Sequence, residues 1–553
     1  MAEPDNTPDP TSGIHRFFDI HPPVFWPTVI LLVVFISITL GVGKPMERIF
    51  SAIQTNVSDY FGWFLILSVN CYLLIMLYIA LGKYGSIRLG GKNAVPEFSR
   101  TAWFAMLFSA GMGIGILFWS VAEPIYHFTN PDFGGADSME AAGNAMQVTF
   151  LHWGLHPWGI YALVGMSLAF FSFNRNKPLA IRSVFYPLLG ERVYGPMGDA
   201  IDVLAVLSTM FGLATSLGFG VQQINAGLHY LFGLPDTIYI QMILVGVITS
   251  AAAMSVASGL DQGVKRLSEL NMNLGAVLLV FVLIVGPTLF ILDTYVENIG
   301  VYLNDFFKIS FWAEGYRQSD WQNSWTIFYW SWWISWSPFV GMFIARISRG
   351  RTLREFVLSV LIVPSLLTFL WLTTFGGSAL FLELGEAGNM AAAVKENIAI
   401  SIYELLGNFP FAIAANFAAI LLVVSFFVTS SDSGSLVVDT FTSGGKLTSP
   451  VTQRIFWAFL QGAVAAVLLF GGGLDALQTA SITTGLPFAV VLLLMGWSLT
   501  KGLEKEYQAE RIRARDMERE SYQQLIQDLV DKKAAGRAGS GNQNPENQNR
   551  EGQ

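Results

Sequence analysis

The chain has 553 residues, of which 53% are hydrophobic and 13% charged, and a formal net charge of −8. Its charge fraction is about half that of a soluble domain, its mean hydropathy is +0.49, and it carries apolar runs of about 20 residues. These features indicate a polytopic membrane protein, and the acidic balance excludes nucleic-acid binding. The one cysteine, Cys71, excludes a disulfide framework and a cysteine metal cluster.

Residues 1–24 read as a cytoplasmic tail. They lack the basic start and small-residue cleavage site of a signal peptide, so the first apolar run is expected to stay as a spanning helix. Twelve spans are predicted in an all-α fold, at 25–43, 59–82, 102–122, 146–172, 200–223, 237–258, 268–294, 325–346, 355–377, 409–430, 453–471 and 477–500. Lysine and arginine alternate with this count. The segments on the N-terminal side hold seventeen, among them Lys83, Arg88, Arg175, Arg182, Arg349 and Arg351. The opposite loops hold five: Lys44, Arg48, Lys308, Arg317 and Lys395. Both termini should therefore be cytoplasmic.

The third span contains Gly111, Gly113 and Gly115 within five residues, which would open the helix in mid-membrane. The competing reading is close helix packing through small residues. The fourth span adds Trp153, Trp158 and Tyr161 as aromatic surface, with His152 and His156 as structural groups near the outer, water-accessible end. Residues 296–315 are too polar to span. Ile299, Tyr302, Leu303, Phe306 and Phe307 recur as on an interfacial amphipathic helix, placed outside.

Six of the sixteen tryptophans fall between Trp321 and Trp336. Trp321, Trp325, Trp332 and Trp336 would share one helical face, with Trp333 beside it. Indole faces are the best aromatic partners for a quaternary ammonium, so this stretch is expected to cage such a cation. The alternative is an interfacial belt, which places one or two aromatics at a helix end. Pro338 and Gly341 mark this eighth span as a second interrupted helix. The two interrupted spans begin five apart, and an odd repeat length inverts the second copy. Broken helices at matching places in inverted repeats point to a transporter's central site.

The tenth span ends in VTSSDSGS, where Thr429 and Ser430 offer hydroxyls beside carbonyls freed at a helix end, a donor set suited to Na+. The competing reading is turn formation by Ser, Asp and Gly. Asp and Glu are missing from the predicted span middles, which favours Na+ over H+ coupling. Residues 501–535 read as a cytoplasmic helix and 536–553 as a disordered tail. A membrane enzyme would need a nucleophile–base set or metal ligands. A channel would need a filter or charged rings. Neither pattern is present in the sequence.

GMGIG (111–115), HPWGIY (156–161), WSWWISWSPFVGMFIARISRGR (330–351) and VTSSDSGS (428–435) together resemble the betaine/choline/carnitine transporter (BCCT) family, and most closely its sodium-coupled glycine betaine carriers. The resemblance implies twelve transmembrane helices with a LeuT-like core of two inverted five-helix repeats. By it, 25–100 would be two peripheral helices, 101–295 the first repeat, 296–320 a periplasmic amphipathic helix, 321–500 the second repeat and 501–553 a cytoplasmic helix and tail of the kind that senses osmotic stress in some relatives. It also implies a homotrimer in the bacterial cytoplasmic (inner) membrane. The substrate would be a small zwitterion and Na+ the coupling ion, with no organic cofactor.

Carried over by motif, Trp153, Trp158, Tyr161 and Trp333 would form the cage, and Trp332 and Trp336 would line the path toward the cytoplasm. The backbone at Gly111, Met112, Gly113 and Gly115 would face the substrate carboxylate. One Na+ site would use Thr429 and Ser430 with backbone oxygens of Ser109, Met112 and Phe426. A second would use Thr209 and Phe339, but Leu213 stands where the family pattern has another hydroxyl, with Thr215 and Ser216 nearby. Gly at 115, rather than the Asp of choline carriers, suits a substrate that brings its own carboxylate. Met272 supplies no basic substitute for the ion.

Overall fold

The computed structural model describes residues 17–111, 113–130, 138–258, 263–316, 319, 321–385 and 389–540. Met112 and the tail beyond 540 thus lie outside the described residues. The described chain is helical and without β-strands, with one isolated bridge between Arg88 and Thr352. Local chemistry sets several helix ends. Ser138 caps α5 (Met139–Trp153) by accepting from the Ala141 N–H at 3.0 Å. Thr352 caps α12 (Leu353–Leu372) through the Glu355 N–H at 3.2 Å, in a Thr-x-x-Glu pattern.

The other main helices are α1 (Pro22–Val42), α2 (Met46–Leu81), α3 (Arg100–Gly111), α4 (Ile114–Phe128), α6 (Leu155–Ala169), α7 (Pro196–Phe232), α8 (Ile238–Ser258), α9 (Gly263–Val285), α10 (Thr288–Asn304), α11 (Thr326–Ile347), α13 (Ala412–Thr442) and α14 (Val451–Ser540). Among the described residues nine helices are long and apolar enough to cross a membrane, or ten if the bent pair α3 and α4 counts as one span. The predicted twelve exceeds this at two places. One is α11, whose indoles and hydroxyls make it less apolar than its burial. The other is α14, which leaves helical geometry at Gly472 and Gly473.

Helix α11 is the centre of the packing. Every residue from Trp325 to Pro338 is buried. Large side chains all round one helix require small ones on its neighbours. Gly165 of α6 meets Gly341 of α11 backbone to backbone, Gly212 of α7 lies against Ser335, and Gly485 of α14 lies against Ser331.

Several expectations are corrected. Helix α11 is not interrupted. Pro338 has no N–H for the Ile334 carbonyl, but the Ser337 hydroxyl donates to that same oxygen at 2.7 Å and the helix continues. The opening expected at the glycines of the third span does occur, between α3 and α4, which diverge by 66°. The span placed at 268–294 ends at Val285, because Gly286 and Pro287 stop it, and α10 then runs from Thr288 to Asn304. The tenth span does not end near 430. Helix α13 continues to Thr442, with Val437 and Val438 restoring a buried apolar face, so Thr429 and Ser430 are mid-helix. His152 and His156 are not water-accessible: both are fully buried.

Of the 296–315 stripe, Tyr302 is buried and Phe306 stacks on His156 at 5.3 Å, whereas Leu303 and Phe307 are exposed. Residues 500–540 form a separate unit. It is helical to Ser540, past the predicted end at 535, and every side chain from 511 to 535 is exposed.

Candidate substrate site

Trp153 ends α5. Gly154 then breaks the helix with φ −95° and ψ −131°, and α6 restarts at Leu155. The break directs Trp153, Trp158 and Tyr161 toward α11. There Trp153 meets Trp333 edge-to-face at 4.9 Å, Trp333 stacks on Trp332 at 4.5 Å, and Tyr161 reaches Trp333 at 6.4 Å. Trp158 stands edge-on to Tyr161 at 5.6 Å. The Trp333 N–H donates to the His152 carbonyl at 2.9 Å, which fixes the ring. All four aromatic groups carried over as the cage are therefore neighbours and buried.

The glycines between α3 and α4 close this box. A Cβ on Gly111 would stand 2.2 Å from the Trp158 ring, and one on Gly115 would stand 2.5 Å from Trp332 and 3.4 Å from Trp153. Gly113, in extended conformation, lies 3.4 Å by the same measure from Trp336. The indole N–H groups of Trp332 and Trp336 are buried without a hydrogen-bond partner. Trp321 and Trp325 do not join the cage. They sit before α11 and pack on His127, at 5.2 and 4.5 Å.

At the first expected ion site the Thr429 hydroxyl lies 3.2 Å from the Phe426 carbonyl and 3.0 Å from that of Ser425. Asn271 of α9 donates to the same hydroxyl at 3.0 Å, and its own amide oxygen is buried without a partner. Ser430 is half-buried on the same turn. Among the described residues no hydrogen bond joins Ser109 to this group. At the second expected site each residue is engaged within or between helices. The Thr209 hydroxyl bonds back to Ala205 at 2.7 Å, Leu213 packs on Gly434, and Phe339 packs on Trp336 at 5.5 Å. Thr215 and Ser216 do not replace the missing hydroxyl: Thr215 bonds Phe211, Leu477 and Ser481, and Ser216 bonds Gly212.

A family profile described as BCCT, the betaine/carnitine/choline family transporter, matches residues 23–508. The chain belongs to the BCCT family. A glycine betaine transporter of Acinetobacter baylyi is 45% identical over 89% of this chain and 75% of its own length. A glycine betaine/proline/choline transporter of Vibrio parahaemolyticus is 46% identical over 88% of this chain and 91% of its own. A glycine betaine transporter of Bacillus subtilis is 42% identical over 87% and 94%. As a BCCT protein the chain is a multi-pass membrane carrier and not an enzyme.

Sequence reasoning missed one group of residues in this BCCT chain. Glu123 was placed just beyond a span, yet α4 carries it on to Phe128 and buries it fully. Its carboxylate receives the Trp153 N–H at 2.8 Å, the Tyr329 hydroxyl, and His152 Nδ1 at 2.6 Å. His127 Nε2 faces it at 3.5 Å. Asp202, Asp432 and Asp439 are also buried within long helices. Carboxylates were expected to be missing from the span middles; Glu123 and Asp432 lie well inside α4 and α13, which overturns that expectation, while Asp202 and Asp439 stand near helix ends. The Glu-x-x-x-His spacing of Glu123 and His127 was the available signal, since it puts both on one helical face.

Proposed function

We propose that this BCCT carrier takes up glycine betaine by Na+-coupled symport, exposing one central site alternately to each side of the membrane. The observation that carries the reading is the box of Trp153, Trp158, Tyr161 and Trp333 closed by Gly111 and Gly115. A trimethylammonium cannot donate a hydrogen bond and is held by ring faces, each contributing about 0.5–2 kcal/mol. The carboxylate of the same substrate would meet the backbone near Gly113 and the unpartnered N–H groups of Trp332 and Trp336. The three relatives all have glycine betaine in their names.

Sodium coupling rests on Thr429, the Phe426 carbonyl and Ser430, with the Asn271 amide oxygen as a further hard donor. It no longer rests on missing carboxylates. Inward movement of one Na+ across 100 mV releases about 2.3 kcal/mol. Two Na+ are not supported, because Leu213 leaves the second site without its hydroxyl. The same reading places the protein as a homotrimer in a bacterial cytoplasmic membrane, with twelve spans in two inverted repeats and both termini inside.

The deciding experiment is uptake of labelled glycine betaine into proteoliposomes holding the purified full chain. Saturable uptake driven by a Na+ gradient is the expected result; uptake indifferent to Na+, or driven only by a proton gradient, would overturn the coupling. Replacing Thr429 and Ser430 together by alanine should raise the Na+ concentration for half-maximal uptake at least about tenfold, the loss of one or two oxygen contacts to a cation. Unchanged Na+ dependence would remove this site. The name of the Vibrio relative gives a second reading, in which choline is also carried. A substrate panel of choline, carnitine, ectoine and dimethylsulfoniopropionate separates the two. The Asp expected for choline has no room at position 115, where Trp332 already fills the space of a Cβ.

A further inference from the structure

Glu123, His127 and His152 lie with their ligand atoms within 4.8 Å of one another and are all buried. Such a trio could hold a metal ion or could be a hydrogen-bonded anchor, and the positions of the hydrogens decide. An indole nitrogen can only donate. Trp321 Nε1 lies 3.2 Å from His127 Nδ1, so that nitrogen is the acceptor and the ring proton is on Nε2, which faces Glu123. A protonated Nε2 cannot bind a metal. His152 completes the pattern: Nδ1 meets Glu123 at 2.6 Å, and Nε2 meets the Thr326 hydroxyl at 2.9 Å. Trp153 and Tyr329 add an N–H and an O–H to the other carboxylate oxygen. The carboxylate anion accepts from His152, Trp153 and Tyr329 at once and faces His127 Nε2 at 3.5 Å, whereas an acid proton on Glu123 would have to turn Tyr329 or His152 from donor into acceptor.

We propose that Glu123 is a buried fixed anion that positions two rings of the substrate site and gives that site its preference for a positively charged headgroup. The proposal rests on the cation-cage reading above. Trp153 is a wall of the cage, and Tyr329 packs on Trp333 at 5.8 Å and on Trp332 at 6.2 Å. Glu123 holds both by their polar hydrogens, at the rim away from the ring faces. An anion at the N–H edge of an indole pushes electron density toward the face, where a cation is attracted. Its own field also acts through a buried interior, where charge interactions are weakly screened. A neutral hydrogen-bond acceptor would supply the positioning but not the charge.

The test compares glycine betaine with 3,3-dimethylbutanoate, the same shape with carbon in place of the ammonium nitrogen. Competition binding is measured on the full chain in nanodiscs. For Glu123→Gln, betaine affinity should fall at least about tenfold while the carbon analogue changes less than about twofold, so the preference collapses. Glu123→Asp, which keeps the charge, should recover most of that preference. Equal losses for both ligands would make Glu123 a structural prop and overturn the proposal, as would an unchanged ratio. Should Glu123→Gln fail to fold, Tyr329→Phe keeps a ring outside the cage itself but removes its tie to the anion. It should lower the betaine-to-analogue ratio, and an unchanged ratio there also overturns the proposal. A wild-type protein that ignores betaine but binds another organic cation sinks the substrate assignment alone. The ratio for that cation and its carbon analogue then still reads the role of Glu123.

Discussion

Trp333→Leu should abolish saturable betaine uptake over the concentration range in which the wild type reaches half-saturation. Trp333 is the ring shared by the whole box: it meets Trp153 at 4.9 Å, Trp332 at 4.5 Å and Tyr161 at 6.4 Å. Leucine keeps the site apolar but removes the quadrupole, a loss of up to about 2 kcal/mol or about 30-fold in affinity for a desolvated cation. It also strips the His152 carbonyl of its donor at 2.9 Å, on the residue whose ring makes one of the hydrogen bonds to Glu123. Trp333→Phe separates these effects. It retains a ring face without the N–H and should bind more weakly than the wild type but measurably better than Trp333→Leu. The check is equilibrium binding together with uptake, on protein shown to be folded by its elution profile. Wild-type affinity in Trp333→Leu would remove this ring from the substrate site.

The parts of the site that sequence reasoning located were those that a short motif specifies in full. HPWGIY places Trp158 and Tyr161 one turn apart, and the glycine-rich run keeps Gly111, Gly113 and Gly115 together, which the fold sets against Trp158, Trp336 and Trp332 in turn. What was misjudged depended on partners distant in the chain. Pro338 looked like a break, and only the Ser337 hydroxyl in the adjoining position keeps α11 whole. Thr429 looked like a helix end because of a run of Ser, Asp and Gly, but burial of Val437 and Val438 draws the helix on to Thr442. Beyond its spacing to His127, Glu123 gave no sign of being a site residue, because its other three neighbours come from 29, 30 and 206 positions away in the chain. A carboxylate is tolerated at such depth only when donors converge on it, and no local periodicity reports that convergence.

The same geometry makes the smallest possible substitution a severe one. Gly111→Ala adds one methyl group, and Gly111 is the last residue of α3, so helix propensity favours the change. The expected result is nevertheless a loss of betaine affinity of about 5- to 150-fold, because overpacking of this kind typically costs about 1–3 kcal/mol. The new carbon would stand 2.2 Å from Cη2 of Trp158 and 2.3 Å from Cζ2. Those atoms belong to a rigid ring held against Tyr161, not to the free end of a flexible chain, so the ring must leave its place or the break between α3 and α4 must open. Either outcome distorts the cage. Shortening the opposing ring relieves the contact: in Gly111→Ala with Trp158→Phe the two changes should be non-additive, with the double variant binding better than the sum of the single losses predicts. Additive losses would show that Gly111 and Trp158 act independently, and that the glycine-rich break is placed there for a reason other than fitting under the indole.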